Sequence, residues 1–215
     1  MSRHYPFLVG VTGGLGSGKS TVCRFLADMG CSLFEADIVA KELQVHDAEV
    51  IAGIRALFGD AVYSFDRDGD IVLDRKKIAS VVFSSPEKLE ALNRLIHPKV
   101  FREFTKAAED AALRGSKIVV KEAAIMFESG SNRQLDVVVV VTADEELRIE
   151  RAVRKGLGSR EEIMQRLARQ WPQEKLIAKA DFVLVNNGSP DELKIATEAL
   201  YSRLLAAASS ACDGF

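Results

Sequence analysis

Hydrophobic and polar positions change period along the chain, and the changes mark its elements. Phe7-Leu-Val-Gly-Val-Thr12 is a continuous apolar, β-favouring run stopped by glycines, the pattern of a strand buried on both faces. From Lys19 to Met29 the apolar residues Val22, Phe25, Leu26 and Met29 recur at helical spacing, and Gly30 stands where a C-terminal cap belongs. Cys31 to Glu35 reads as a second strand, expected beside the first, and Ile38 to Leu43 as a helix. Strand, glycine-rich turn, helix and strand in that order open a doubly wound α/β sheet.

The middle of the chain has a different rhythm. Asp66-Arg-Asp-Gly-Asp70 is a hairpin turn, and Asp74 to Leu113 carries helical periodicity without a strand. Ser85-Pro86 sets a capping serine before a proline at the first helical position. His97-Pro98 is expected to divide one helix from the next, because the residue before proline resists α geometry. Strands return at Lys117 to Lys121 and Asp136 to Thr142. Thr142-Ala-Asp-Glu145 and Ser159-Arg-Glu-Glu162 match the capping-box pattern, so a helix is expected after each. Lys155-Gly-Leu-Gly-Ser159 is a flexible break between them, Asp181 to Val185 is a last strand, and a final helix runs from Ser189-Pro190 to about Ala207, with a frayed tail from Ser209.

Composition narrows the class. Of 215 residues 47% are hydrophobic and 28% charged, enough apolar side chain for a sizeable core, which excludes a disordered chain. The balance of 29 Lys+Arg against 31 Asp+Glu gives a net charge of −2, so no nucleic-acid-binding surface is expected. The longest apolar run, Val137 to Val141, is too short to cross a bilayer, the first residues hold no secretory h-region, and no membrane association is expected. Cys23, Cys31 and Cys212 form no CxxC pair and read as free thiols of a cytoplasmic protein.

The chemistry is concentrated in Gly13-Gly-Leu-Gly-Ser-Gly18-Lys19-Ser20, which satisfies the P-loop pattern G-x-x-x-x-G-K-[ST] between a strand and a helix. Its glycines let successive backbone N–H groups turn towards phosphate oxygens at a helix N-terminus. Gly14, Gly16, Ser17, Gly18, Lys19, Ser20 and Thr21 are the expected ATP-binding residues, with the Lys19 amine on the outer phosphates and the Ser20 hydroxyl on Mg²⁺. No Asn-Lys-x-Asp guanine-reading string occurs, and Asp66-Arg-Asp-Gly69 matches a GTPase switch only loosely. The nearest string to a strand ending in Asp-Glu is Val119-Val-Lys-Glu122. Phosphoryl transfer to an alcohol needs a carboxylate near the acceptor hydroxyl, and Asp37, just past the second strand, is the best candidate. Its alternative use is to cap the helix from Ile38. Arg148, Arg151, Arg154, Lys155, Arg160, Arg166 and Arg169 make a basic segment around glycines, read as a lid in which Arg151 or Arg154 reaches the triphosphate. These features fit a small-molecule kinase, whose acceptor could equally be a nucleoside or a sugar acid, or a regulatory P-loop NTPase.

The sequence resembles the dephospho-coenzyme A kinase family over nearly its whole length. Val11 to Thr21 is similar to that family's P-loop, Phe34-Glu35-Ala36-Asp37-Ile38 to its acidic strand end, and Ile125-Met126-Phe127-Glu128 to its apolar stretch ending in glutamate. Leu73-Asp74-Arg75, Val82-Phe83, Leu92-Asn93 and His97-Pro98 resemble its helical substrate region; Gln170, Ala180-Asp181 and Asn186-Asn187-Gly188 resemble its C-terminal signature. Glu35 and Ala123-Ala124 stand where the family usually has aspartate and a proline. The resemblance implies ATP-dependent, Mg²⁺-assisted phosphorylation of the ribose 3′-hydroxyl of dephospho-coenzyme A. It implies Asp37, Lys19 and Arg151 as catalytic residues, Thr12, Asp37, Arg75 and His97 as substrate contacts, and Asn187 beside the nucleotide. It also implies the small-molecule substrate as the partner of a monomer or weak homo-oligomer. The expected fold is α/β, a P-loop kinase-like three-layer fold with a central parallel sheet. Residues 1–60 and 115–208 would form the nucleotide-binding core with a lid at about 148–170, and residues 61–114 a helical substrate-binding insertion.

Overall fold

The computed structural model describes residues 5–168 and 170–212. In chain order the strands are β1 (Phe7–Thr12), β2 (Ser32–Glu35), β3 (Tyr63–Phe65), β4 (Ile71–Leu73), β5 (Ile118–Glu122), β6 (Val137–Thr142) and β7 (Phe182–Val185). The helices are α1 (Lys19–Asp28), α2 (Ala36–His46), α3 (Ala48–Phe58), α4 (Arg75–Ser84), α5 (Pro86–Leu113), α6 (Glu145–Arg154), α7 (Arg160–Leu167), α8 (Gln173–Ile177) and α9 (Pro190–Cys212). The chain divides into two compact units: residues up to Glu35 together with those from Lys106 onward, and Ala36–Thr105. The second unit therefore begins well before residue 61, because α2 and α3 pack with the β3–β4 hairpin: Tyr63 Oη donates to the Gln44 carbonyl at 2.7 Å.

In the first unit five parallel strands take the order β2-β5-β1-β6-β7. This corrects the expectation that β2 lies beside β1: β5 stands between them, in register with both (Val11↔Glu122, Glu35↔Glu122). Burial explains the order. Ile118 to Lys121 of β5 are all buried and need a neighbour on each edge, whereas β2 buries only Phe34 and tolerates the end of the sheet. One face of the sheet, with Val9, Val11, Ile118, Val120, Val139 and Val141, packs on Val22, Cys23 and Leu26 of α1 and on Leu193, Leu200 and Leu204 of α9. Each such side chain contributes about 1.5–3 kcal/mol by leaving water.

In the second unit Val50, Ile54, Val62, Leu73, Ile78, Ile96, Val100 and Phe104 are buried. Asp66 to Asp70 form the hairpin turn between β3 and β4. The boundary expected at His97-Pro98 is absent: α5 runs unbroken through Pro98. A proline inside a helix costs about 3 kcal/mol. Pro98 faces solvent, while Ile96, Val100 and Phe104 bury one continuous stripe whose combined gain exceeds that cost.

Three local expectations also change. Thr142 does not cap α6, whose N-cap is Asp144 without a side-chain cap bond; the Thr142 hydroxyl instead bonds Gln173. The Ser159–Glu162 capping box of α7 is present in both directions. Helix α9 continues to Cys212, past the fraying expected from Ser209, with Ala208 packed on the core. The Cys212 side chain and Arg169 lie outside the described residues. Among the described residues no helix is long and apolar enough to cross a membrane.

Candidate active site

The loop between β1 and α1 curls because its glycines accept what other residues resist. Gly18, the N-cap of α1, has φ 101°, and Gly16 has φ 78°, both in the left-handed region. There is no room for a side chain either: a Cβ on Gly16 would run into the backbone carbonyl of Arg148, and one on Gly18 into the Asn186 amide. Asn186, buried just past β7, donates from Nδ2 to the Ser17 carbonyl at 2.8 Å. Gln170 Oε1 accepts from the Leu15 N–H at 2.9 Å, and Leu15 packs against Ile149, Ala152 and Ile163. The cradle is thus held from α6, from the segment after α7 and from the turn after β7.

Within it, Lys19 Nζ donates to the Gly14 carbonyl at 3.3 Å, curled back over the loop. Ser20 Oγ donates to Glu122 Oε1 at 2.8 Å, so the carboxylate ending the strand next to β1 meets the hydroxyl at the start of α1. The buried Cys23 thiol also bonds Glu122; burial first, then that carboxylate, pushes its pKa up and keeps it an un-ionised donor. A hydroxyl backed by a carboxylate is a donor set suited to a hard divalent cation. Thr12 at the end of β1 and Ser17 in the loop are fully buried, and their hydroxyls have no partner among the described residues.

Arg151 binds backbone rather than open space. Its Nη1 donates to the Asn186 carbonyl at 2.7 Å and its Nη2 to that of Gly188 at 3.4 Å. Asn187 pairs with Asp144 through the Asp144 N–H to Oδ1 at 2.9 Å and from its own Nδ2 to Asp144 Oδ1 at 2.8 Å. The structure therefore gathers Thr12, Gly14 to Thr21, Arg151 and Asn187 in the first unit. Asp37, Arg75 and His97 belong to the second. Asp37 is exposed in the first turn of α2, Arg75 Nη2 donates to the Lys41 carbonyl at 3.3 Å, and His97 stacks on Phe101 with ring centroids 6.3 Å apart. Sequence reasoning did not single out Gln173, which holds Thr142 and the Ala143 N–H, or Trp171, which stacks on Phe127 with centroids 6.4 Å apart under Lys175 Nζ. A lone tryptophan in a polar stretch was the available signal.

A parallel sheet, a glycine cradle leading into α1 and a carboxylate on the neighbouring strand define a P-loop phosphotransferase of the small-molecule kinase fold. Solved structures agree. A Thermus thermophilus protein superposes with TM-score 0.77 at 32% identity, over 93% of this chain and 98% of its own. A dephospho-CoA kinase from Campylobacter jejuni superposes with TM-score 0.66 at 24% identity over 92% and 96%, and a shikimate kinase from Acinetobacter baumannii with 0.53 at 15% over 94% and 95%; these two show the fold alone. The family model for dephospho-CoA kinase (CoaE) matches residues 7–192, and a dephospho-CoA kinase from Chlorobium chlorochromatii is 63% identical over 95% of this chain and 97% of its own. One from Chlorobaculum tepidum is 56% identical over 95% and 98%. The chain belongs to the dephospho-CoA kinase family.

Proposed function

We propose that this protein transfers the γ-phosphoryl group of ATP to the ribose 3′-hydroxyl of dephospho-CoA, giving CoA and ADP. Family membership supports the acceptor. The observation that carries the chemistry is the cradle from Gly13 to Ser20, with its helix N-terminus and its Ser20–Glu122 hydrogen bond.

In this reading the N–H groups from Gly16 to Thr21 bind the triphosphate, and Lys19 leaves the Gly14 carbonyl to meet the outer phosphates. Mg²⁺ would be held by Ser20, with Glu122 accepting from its hydroxyl or from a metal-bound water, and it would supply charge neutralisation of the phosphates. Asp37 orients the acceptor hydroxyl and takes its proton, with Thr12, Arg75 and His97 as further substrate contacts. Arg151 fixes the Asn186–Gly188 turn, where Asn187 borders the nucleotide. Closure of the 148–170 lid excludes water, which would compete as acceptor. Residues 61–114, within and just beyond the Ala36–Thr105 unit, serve as the substrate-binding region. A cytoplasmic location fits the buried free thiols Cys23 and Cys31 and the ATP requirement, and the same proposal has a monomer or weak homo-oligomer whose partner is the small-molecule substrate, without nucleic acid or membrane.

The test is an ADP-coupled assay offering ATP with dephospho-CoA, a nucleoside or a sugar acid. Expected is ADP release that depends on dephospho-CoA, with product mass increased by one phosphate at the 3′ position. ADP release driven by another acceptor, or by none, would defeat the proposal.

A further inference from the structure

A cavity of about 320 Å³ opens between α6, α7 and the chain leading into α8, lined among others by Glu145, Arg148, Met164, Gln170, Trp171 and Glu174. Arg148 stands out in its wall. It is more than nine-tenths buried, and its Nε has no hydrogen-bond partner among the described residues. Its ion pair with Glu145 Oε2, at 3.8 Å, is too long to be a hydrogen bond. Burial lowers its pKa and the Glu145 and Glu174 carboxylates oppose that, yet a guanidinium does not lose its proton in a protein. A buried charge so thinly compensated is costly unless another anion completes its surroundings.

The place of the guanidinium identifies that anion. A Cβ on Gly14 would collide with Arg148 Nη1, just as one on Gly16 would collide with the Arg148 carbonyl. Side chain and backbone of this one residue therefore both lie directly against the phosphate loop. Gln170, a second polar group in the wall, reaches the same loop by accepting from the Leu15 N–H. Arg148 and Gln170 thus belong both to the cavity wall and to the backing of the phosphate loop. Arg151, one helical turn on, has both terminal nitrogens on backbone carbonyls.

We propose that Arg148 is a further catalytic residue, whose guanidinium fork grips the outermost phosphate of the nucleoside triphosphate through the cavity it lines. This rests on the kinase reading above. The fork supplies two parallel donors to non-bridging oxygens, so its grip tightens as charge develops there during transfer. The diphosphate of the acceptor presents the same chemistry. The position on Gly14 favours the triphosphate.

The test uses the full chain and Arg148→Ala and Arg148→Lys, with calorimetric titration of magnesium β,γ-imido-ATP, magnesium ADP and dephospho-CoA, and steady-state turnover. Expected for Arg148→Ala is a loss of imido-ATP affinity of about 10- to 100-fold, with kcat down about 10²- to 10³-fold and affinities for ADP and dephospho-CoA retained. Arg148→Lys should keep the melting temperature and recover only part of the turnover, because an ammonium has no fork. Equal weakening of ADP and imido-ATP overturns the proposal, as does weakening of dephospho-CoA alone. Should Arg148→Ala not fold, wild-type turnover in Arg148→Lys overturns it. A wild-type protein that binds imido-ATP but leaves dephospho-CoA unmodified would instead sink the kinase reading.

Discussion

Ser20 Oγ and Glu122 Oε1 lie 2.8 Å apart, joining the first turn of α1 to the end of β5. In the proposed reaction the contact would make Glu122 the carboxylate behind a metal-bound hydroxyl, and such outer partners typically set metal affinity 10- to 100-fold. Glu122→Ala is expected to weaken Mn²⁺ binding to the protein–ATP complex by about that factor, read from free Mn²⁺ by electron paramagnetic resonance. Unchanged Mn²⁺ affinity would leave Glu122 a structural partner of Ser20 and Cys23.

Asn186 offers a test of the cradle's scaffold. Its Nδ2 supplies the bond to the buried Ser17 carbonyl. Asn186→Ala leaves that carbonyl without its donor, at a cost of about 1–3 kcal/mol. Urea unfolding should record that loss, and ATP affinity should fall with it. A variant as stable as the parent would mean that water replaces the amide.

Asp37 carries the proton-transfer step in the proposed reaction. Asp37→Asn keeps the shape and removes the base, so ATP binding should persist while turnover falls about 10²- to 10⁴-fold. Near-normal turnover removes Asp37 from the mechanism.

Lys121 gives the fold a pH signature. It is wholly buried on β5, its Nζ donating to Gln134 Oε1 at 3.2 Å, and burial lowers its pKa from 10.5 to about 8. Between those values the unfolded chain binds more protons than the folded one, so stability should rise with pH from about 8 to about 10.5. Below about pH 8 the full cost of burying the cation is present. Lys121→Met should abolish the rise and raise stability at neutral pH by about 1–3 kcal/mol. Urea midpoints of both proteins across this range decide it. Parallel curves would refute the assignment.

Much of the fold was legible because its signals are local. Continuous apolar runs such as Phe7 to Thr12 and Val137 to Val141 specify buried strands, and Ser85-Pro86 and Ser159 to Glu162 specify helix starts within a few residues of chain. The P-loop is legible for the same reason, since its spacing reports a backbone shape only glycine permits.

What the sequence alone determined is therefore local: the phosphate loop, the alternation of strand and helix, and the family pattern. Tertiary structure decided whatever depends on which segments meet. It set β5 rather than β2 beside β1, making Glu122 and not Asp37 the acid on the neighbouring strand. It carried α5 through Pro98, because a buried stripe outweighs one lost hydrogen bond. It took Thr142 from a capping role and gave it to Gln173. It also placed Arg148 on the loop and Arg151 on the turn after β7, although both stand on one helical face. Spacing along a helix assigns a face, but only the neighbours packed there decide what each side chain touches.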